Sequence, residues 1–138
     1  MQVPNDILLP EFDQLIKEGK QVCFTPSGVS MRPFIEGNRD SVTLAAAEHP
    51  EVGDILLAKI GNRYVLHRLI AIQGNELTLM GDGNLTGEEH CTKADIIGKV
   101  IAITRPNGNN KRLTKGRLWW HLKPLRRLLL KIYRHICI

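Results

Sequence analysis

The sequence lacks any long apolar run, and its last part lacks acidic residues. No window reaches the ~18 uncharged apolar residues that a transmembrane helix needs, so we expect none. The N-terminus has no basic segment followed by an apolar stretch, so we expect no signal peptide. All 14 acidic residues lie in residues 1–110 with 10 Lys and Arg, whereas residues 111–138 contain nine Lys and Arg and no acid. The formal charge of +5 is therefore a property of the tail.

Cysteine and histidine are too few and too dispersed to predict a metal site. The three cysteines, Cys23, Cys91 and Cys137, form no Cys-x-x-Cys pair, and the five histidines have no ligand spacing. The sequence also has no Walker or Rossmann glycine loop for a phosphate. We predict no metal and no cofactor, and reduced thiols indicate a cytoplasmic protein. Cys23 lies in an apolar run and is predicted to be a small core residue.

Short apolar segments separated by glycine turns predict a mainly β protein. With 138 residues we expect one domain. An N-terminal amphipathic helix is predicted within residues 1–20, packed on the core and stopped at Gly19. Residues 21–104 are predicted to form a coiled antiparallel β-barrel or sheet. Its strands are expected at 21–25, 41–46, 55–60, 63–72, 76–80 and 96–104, with a polar loop at 81–93.

The tail is predicted to be a linker at 105–110 followed by a basic amphipathic helix at 111–138. The apolar face of this helix is Leu118, Leu122, Leu125, Leu129, Ile132, Tyr133 and Ile136. A basic helix headed by Trp119 and Trp120 suits the plane of an anionic membrane surface, which residues 117–138 would contact. Alternatively, its Leu and Ile residues pack onto the β domain and its charges face water. Specific nucleic-acid binding is not expected, because the apolar face would have no role in it.

Ser30 is the candidate nucleophile. It lies in the stretch Pro26–Pro33, directly after an apolar run, where glycine and proline favour a turn over regular structure. An ordinary loop serine would fit this position equally well, because a hydroxyl is a weak nucleophile until a base takes its proton. The prediction of a nucleophile therefore depends on a base elsewhere in the chain.

His67 is the candidate base, in the middle of the predicted strand 63–72. Strand alternation places its side chain on one face with Val65, Leu69 and Ala71. A histidine among apolar neighbours is usually structural. A general base, however, must be rigidly held and neutral near pH 7, and imidazole, with an ordinary pKa of about 6.5, meets the second condition.

Two carboxylates, Asp82 and Glu88, are candidates for orienting His67 through its other ring nitrogen. Asp82 lies in Gly81-Asp82-Gly83-Asn84, directly after the strand that follows His67, and Glu88 lies in the same polar loop. Acidic loops are also common as solvated surface. The sequence leaves open which carboxylate has the orienting role.

Short motifs between Val22 and Ile103, which is most of the chain, occur in the order found in signal peptidases. They are Ser30-Met31-Arg32-Pro33, Gly53-Asp54-Ile55-Leu56-Leu57, His67-Arg68-Leu69-Ile70, Gly81-Asp82-Gly83-Asn84 and Ile96-Ile97-Gly98-Lys99-Val100. In this order they resemble the type I signal peptidase and SOS-repressor peptidase superfamily. The histidine at position 67, where bacterial members usually carry a lysine base, resembles the archaeal and endoplasmic-reticulum branch.

The resemblance implies a signal-peptidase-like coiled β fold and a serine endopeptidase. It implies Ser30 as nucleophile, His67 as general base and Asp82 or Glu88 as the supporting acid. It also implies that the backbone N–H of Ser30 helps to bind the oxyanion. Family members cleave after small residues, often in an Ala-x-Ala context, so the implied partner is a peptide or protein substrate.

The expected absence of a spanning helix departs from the membrane-anchored members of this family. We therefore expect a cytoplasmic peptidase that cleaves a leader or signal-like peptide, with its tail peripheral on the inner face of the cell membrane. The alternative is a catalytically inactive peptide-binding or membrane-adaptor module, because one fold can host several functions. The presence of both Ser30 and His67 favours the peptidase.

Overall fold

In a computed structural model, the protein is described over residues 5–84 and 87–136, and this part contains one curled antiparallel sheet with short helices. The strands are β1 (Val22–Phe24), β2 (Ser41–Ala45), β3 (Ile55–Ile60), β4 (Arg63–Gln73), β5 (Glu76–Met80), β6 (Glu89–Thr92), β7 (Ile96–Thr104) and β8 (Asn110–Lys111). The helices are α1 (Asn5–Lys17), α2 (Arg117–His121) and α3 (Arg126–Ile136), with 3-10 turns at Lys93–Asp95 and Lys123–Leu125. The strand order is β1-β2-β7-β3-β4-β5-β6, and β8 pairs with β7. The prediction of a mainly β protein is confirmed.

Strand β6 was not predicted, because it lies within the residues that were expected to form a polar loop. Its residue Cys91 is buried and lies opposite Leu77 of β5, whereas its other side chains are exposed or half-buried. A four-residue edge strand with one apolar side chain shows no alternation that a sequence pattern can detect.

Helix α1 packs on the sheet, as predicted, through Phe12 and Ile16. Its last residue is Lys17, and Gly19, two residues further on, has a φ of +85°. The Lys20 N–H donates to the Leu15 carbonyl and the Gly19 N–H to the Ile16 carbonyl, which is a Schellman cap. Residues 1–4 of the predicted helix and the side chains of Ile7 and Leu8 lie outside the described part.

Strand β3 separates two hydrophobic clusters because both of its faces are buried. Its Ile55 and Leu57 belong to the first cluster and its Leu56 and Ala58 to the second. The first cluster also contains Phe12, Ile16, Val22, Phe24, Met31, Ile35, Val42, Leu44, Ile97, Val100 and Ile103. The second also contains Val65, Leu69, Leu77, Leu79 and Cys91.

Two side-chain predictions for the sheet are wrong. Cys23 is exposed rather than in the core, because the residues on either side of it in β1 point inward and it points outward. Ala71 is exposed and does not share the buried face of His67. The pairing of β4 with β5 shifts register between Leu69 and Ala71, and such a bulge interrupts the alternation.

The tail differs from the predicted linker and continuous helix. Residues 105–109 form a hairpin turn, and Thr104 of β7 lies opposite Asn110 of β8. The helical part is divided into α2 and α3 by the 3-10 turn that contains Pro124. Cys137 and Ile138 lie outside the described residues. None of the described helices is long and apolar enough to cross a membrane.

Candidate active site

Ser30 lies in a loop, here called the serine loop (residues 26–38), that the core holds at several points. The Asn38 N–H donates to the Pro26 carbonyl at 2.8 Å and closes the loop at its base. Met31 and Ile35 are buried in the first hydrophobic cluster. The half-buried Ser30 is therefore attached to the core through its neighbours, which places its backbone at a defined position.

Ser30 and His67 line the same cavity, which has a volume of about 210 Å³. Ser30 comes from the serine loop, and His67 comes from β4, where it lies opposite Leu56 of β3. Within the described residues, no hydrogen bond joins the two side chains. Catalytic hydrogen bonds are often long in a ligand-free site and shorten only when substrate binds, so this geometry is compatible with a nucleophile and its base.

His67 is buried, with 8% of its surface exposed, and its Nδ1 atom has no hydrogen-bond partner. Burial lowers the pKa of His67 below its ordinary value, because the charged imidazolium loses its hydration. The carboxylates of Glu89 and Asp82 raise the pKa and offset only part of this effect, and Arg63 lowers it further. The ring is therefore neutral near pH 7 and able to accept a proton.

Neither candidate carboxylate is hydrogen-bonded to His67. Glu88 is exposed, and its carboxylate lies 3.8 Å from His90 Nε2. The nearby acid that sequence reasoning did not select is Glu89, the first residue of β6, whose carboxylate accepts a hydrogen bond from Arg63 at 2.8 Å. Arg63 itself lines the cavity. Recognising Glu89 required knowledge of β6, which places it beside the start of β4.

Asp82 is fully buried and is bonded to Arg68 rather than to His67. The Arg68 guanidinium, 1% exposed, donates to both Asp82 oxygens at 2.6 and 3.1 Å. Trp120 Nε1 also donates to the Asp82 carboxylate at 2.9 Å, and Trp119 Nε1 donates to the Asp82 backbone carbonyl at 2.7 Å. Asp82 therefore joins the strand of His67 to the C-terminal segment. An arginine within an apolar strand was the sequence signal for such a partner.

Gly81 and Gly83, on either side of Asp82, lie directly against the backbone of the serine loop. The Gly83 N–H donates to the Ser30 carbonyl at 2.7 Å. A Cβ at Gly81 would overlap the Ser30 carbonyl oxygen, and a Cβ at Gly83 would lie 2.6 Å from the Val29 carbonyl oxygen. The glycines of this motif are therefore required for close backbone contact with the loop that contains Ser30.

Gly83→Ala is expected to displace the serine loop, because its Cβ has no space against the Val29 carbonyl. Overpacking of this kind typically costs about 1–3 kcal/mol. Gly98→Ala is the matched control, since its Cβ would lie 2.7 Å from the Ala45 carbonyl oxygen, in the sheet rather than in the serine loop. In urea denaturation we expect both variants to lose stability. Amide hydrogen exchange should increase in the serine loop only for Gly83→Ala, and equal exchange in both variants would contradict the assignment.

The first part of β4 has a free edge beside the cavity. Residues 63–68 pair with β3 on one side, but β5 pairs only with residues 68–73 on the other. Within the described chain, no strand covers the outer edge of residues 63–67. Because residues 63–67 also line the cavity of Ser30, an extended peptide has unpaired backbone groups to bind there.

The fold and the cavity together define a mainly β protein in which a loop serine and a strand histidine lie in one cleft. No protein-family model matches the chain, and no curated protein is significantly similar to it.

Proposed function

We propose that this protein is a serine endopeptidase of signal-peptidase-like fold, with Ser30 as nucleophile and His67 as general base. The observation that carries the proposal is that Ser30 and a buried, neutral His67 line one cavity beside the free edge of β4. The order of short motifs in the sequence supports the same conclusion. The proposed substrate is a leader or signal-like peptide cleaved after a small residue.

In the proposed reaction, the peptide lies extended along the free edge of β4, and its scissile carbonyl meets Ser30 Oγ. His67 takes the hydroxyl proton as Oγ attacks, and then gives that proton to the leaving amine as the peptide C–N bond breaks. In the second half of the reaction, His67 takes a proton from water as the water attacks the Ser30 ester. It then gives that proton to Ser30 Oγ as the ester C–O bond breaks. The Ser30 backbone N–H has no hydrogen-bond partner within the described residues and is available to the oxyanion.

The proposal is tested by incubating the full-length protein with a peptide library and identifying the products by mass spectrometry. We expect cleavage after small residues, with Ala-x-Ala peptides among the best substrates. A serine-directed phosphonate probe should add one adduct mass at Ser30. Peptide binding without cleavage and without an adduct would instead support an inactive peptide-binding module on the same fold.

The pH dependence of kcat/KM reports the protonation of His67. Because burial lowers its pKa, we expect activity to persist below pH 6.5 and to fall as the pH drops through the lowered value. The acid limb of Glu89→Gln should move to lower pH, because the carboxylate of Glu89 raises the pKa of His67. Glu88→Gln is the matched control and should leave the limb unchanged. A shift of the Glu89→Gln limb to higher pH would contradict this placement of Glu89.

A further inference from the structure

Helix α3 presents three different faces. Arg126, Leu129, Leu130 and Tyr133 are buried or half-buried and form the side toward the protein. The apolar stripe, Leu128, Ile132 and Ile136, follows a four-residue spacing on a second side, with exposed fractions of 56%, 44% and 75%. Arg127, Lys131 and Arg134 form an exposed basic stripe on a third side. The alternative of a helix packed on the β domain therefore applies to one side of α3, and the other two sides are exposed.

The segment before α3 has exposed apolar side chains of its own. Leu125 and Leu118 are 51% and 73% exposed. Leu118 also lines an open groove of about 630 Å³, together with the apolar side chains of Phe34, Trp119 and Leu122. Arg112 and Arg117 also line this groove and are themselves exposed. Both helices therefore carry exposed apolar side chains together with exposed arginines.

The two helices are firmly attached to the β domain, so this surface is preformed. The Arg126 guanidinium, 1% exposed, stacks on Trp120 at 4.2 Å, and Trp120 in turn donates to Asp82. The hydroxyl of Tyr133 donates to Glu36, next to the buried Ile35 of the serine loop, at 3.0 Å. The apolar stripe is therefore exposed while the side of the helix toward the protein is held in place.

We propose that α2 and α3 form a docking surface for an anionic lipid bilayer, with the apolar stripe at the acyl boundary and the basic stripe at the phosphates. Residues 111–138 contain nine basic residues and no acid, so the charge of this surface complements an anionic layer. A second copy of the chain would bring basic stripes together, and a nucleic acid would leave Leu128 and Ile132 without a partner. This surface goes beyond the proposed peptidase activity and does not depend on it.

The attachment of α3 to Glu36 and of α2 to Asp82 gives docking a consequence for the cavity. Both contacts are made to segments that lie next to Ser30. Glu36 belongs to the serine loop itself. Asp82 precedes Gly83, whose N–H donates to the Ser30 carbonyl. A bilayer that holds α2 and α3 therefore also fixes the orientation of the serine loop relative to the lipid surface.

The test is sedimentation of the full-length protein with vesicles of equal parts phosphatidylglycerol and phosphatidylcholine, compared with phosphatidylcholine alone. We expect binding to the anionic vesicles only, weakened by added salt. Leu128→Gln/Ile132→Gln should reduce the affinity at least about ten-fold, whereas Val52→Gln/Ile101→Gln, exposed apolar residues elsewhere, should not. Arg127→Gln/Lys131→Gln should reduce it on the order of ten-fold, unlike the exposed pair Lys93→Gln/Arg105→Gln.

Circular dichroism melting must show that the variants remain folded, and Ser30→Ala must bind vesicles as the unmodified chain does. Absence of proteolysis by the unmodified chain, with vesicle binding retained, would remove the peptidase proposal and leave this one standing. Equal binding by the stripe variants and their controls would overturn it, as would no binding to anionic vesicles. Concentration-dependent dimerisation abolished by Leu128→Gln/Ile132→Gln, without vesicle binding, would also overturn it and assign the surface to a second copy.

Discussion

Ser30→Ala and His67→Ala should each abolish peptide cleavage while leaving the fold intact. The first substitution removes the attacking oxygen, and the second removes the group that accepts its proton, so each loss should be about 10⁴-fold or more in kcat. Ser30 is half-buried and makes no side-chain hydrogen bond within the described residues, so its truncation should cost little stability. The measurement is kcat on an Ala-x-Ala peptide, with circular dichroism melting as the check on folding.

Ser27→Ala is the matched control for the nucleophile. Ser27 lines the same cavity and belongs to the same loop, but its side chain is exposed. We expect Ser27→Ala to retain most activity and the phosphonate adduct at Ser30. Full activity in purified Ser30→Ala would eliminate the proposed mechanism. If Ser27→Ala lost activity and Ser30→Ala did not, Ser27 would be the nucleophile instead. The double variant Ser30→Ala/His67→Ala should lose no more than either single variant, because the two groups act in one step.

Asp82→Asn should destabilise the protein more than any substitution of an exposed carboxylate. It leaves the Arg68 guanidinium, 1% exposed, without its charge partner. Removal of one member of a buried ion pair typically costs about 3–5 kcal/mol. It also weakens the acceptor for Trp120 Nε1 and so loosens the C-terminal segment. The measurement is the free energy of unfolding from urea denaturation, followed by Trp fluorescence.

Glu88→Gln is the control for Asp82→Asn, because its exposed carboxylate should change stability by no more than about 0.5 kcal/mol. The comparison separates the two roles considered for Asp82. A structural partner of Arg68 predicts a large loss of stability. An orienting acid for His67 predicts unchanged stability with a lower kcat, and that result would contradict these contacts.

Local patterns predicted the elements of the fold that depend only on neighbouring residues. The strands β2, β3, β4, β5 and β7 lie at or within one residue of their predicted bounds, because alternation and glycine turns are encoded over a few positions. The same patterns failed for β6, which has one buried apolar residue, and for the continuous tail helix. In the tail, the 3-10 turn at Pro124 and the attachment of α3 to the body divide one apparent apolar face into a packed side and an exposed side.

The candidate site was only partly accessible to such patterns. Ser30 and His67 were selected by residue type and position, and the fold brings them to one cavity. The carboxylates were not predictable in the same way. Asp82 pairs with Arg68, 14 positions earlier in the chain, and with Trp120, 38 positions later, and neither separation has a local signature.

The sequence by itself therefore determined that this is a mainly β chain with a serine in a glycine and proline loop, a histidine in mid-strand and a basic tail. These are properties of composition and short-range periodicity. Only the tertiary structure decided that Asp82 forms an ion pair with Arg68 and that the carboxylate of Glu89 raises the pKa of His67. It also decided that Leu128, Ile132 and Ile136 lie on an exposed side of α3. Those outcomes depend on which distant segments pack together, and long-range packing is set by burial and hydrogen bonding across the whole sheet rather than by neighbouring residues.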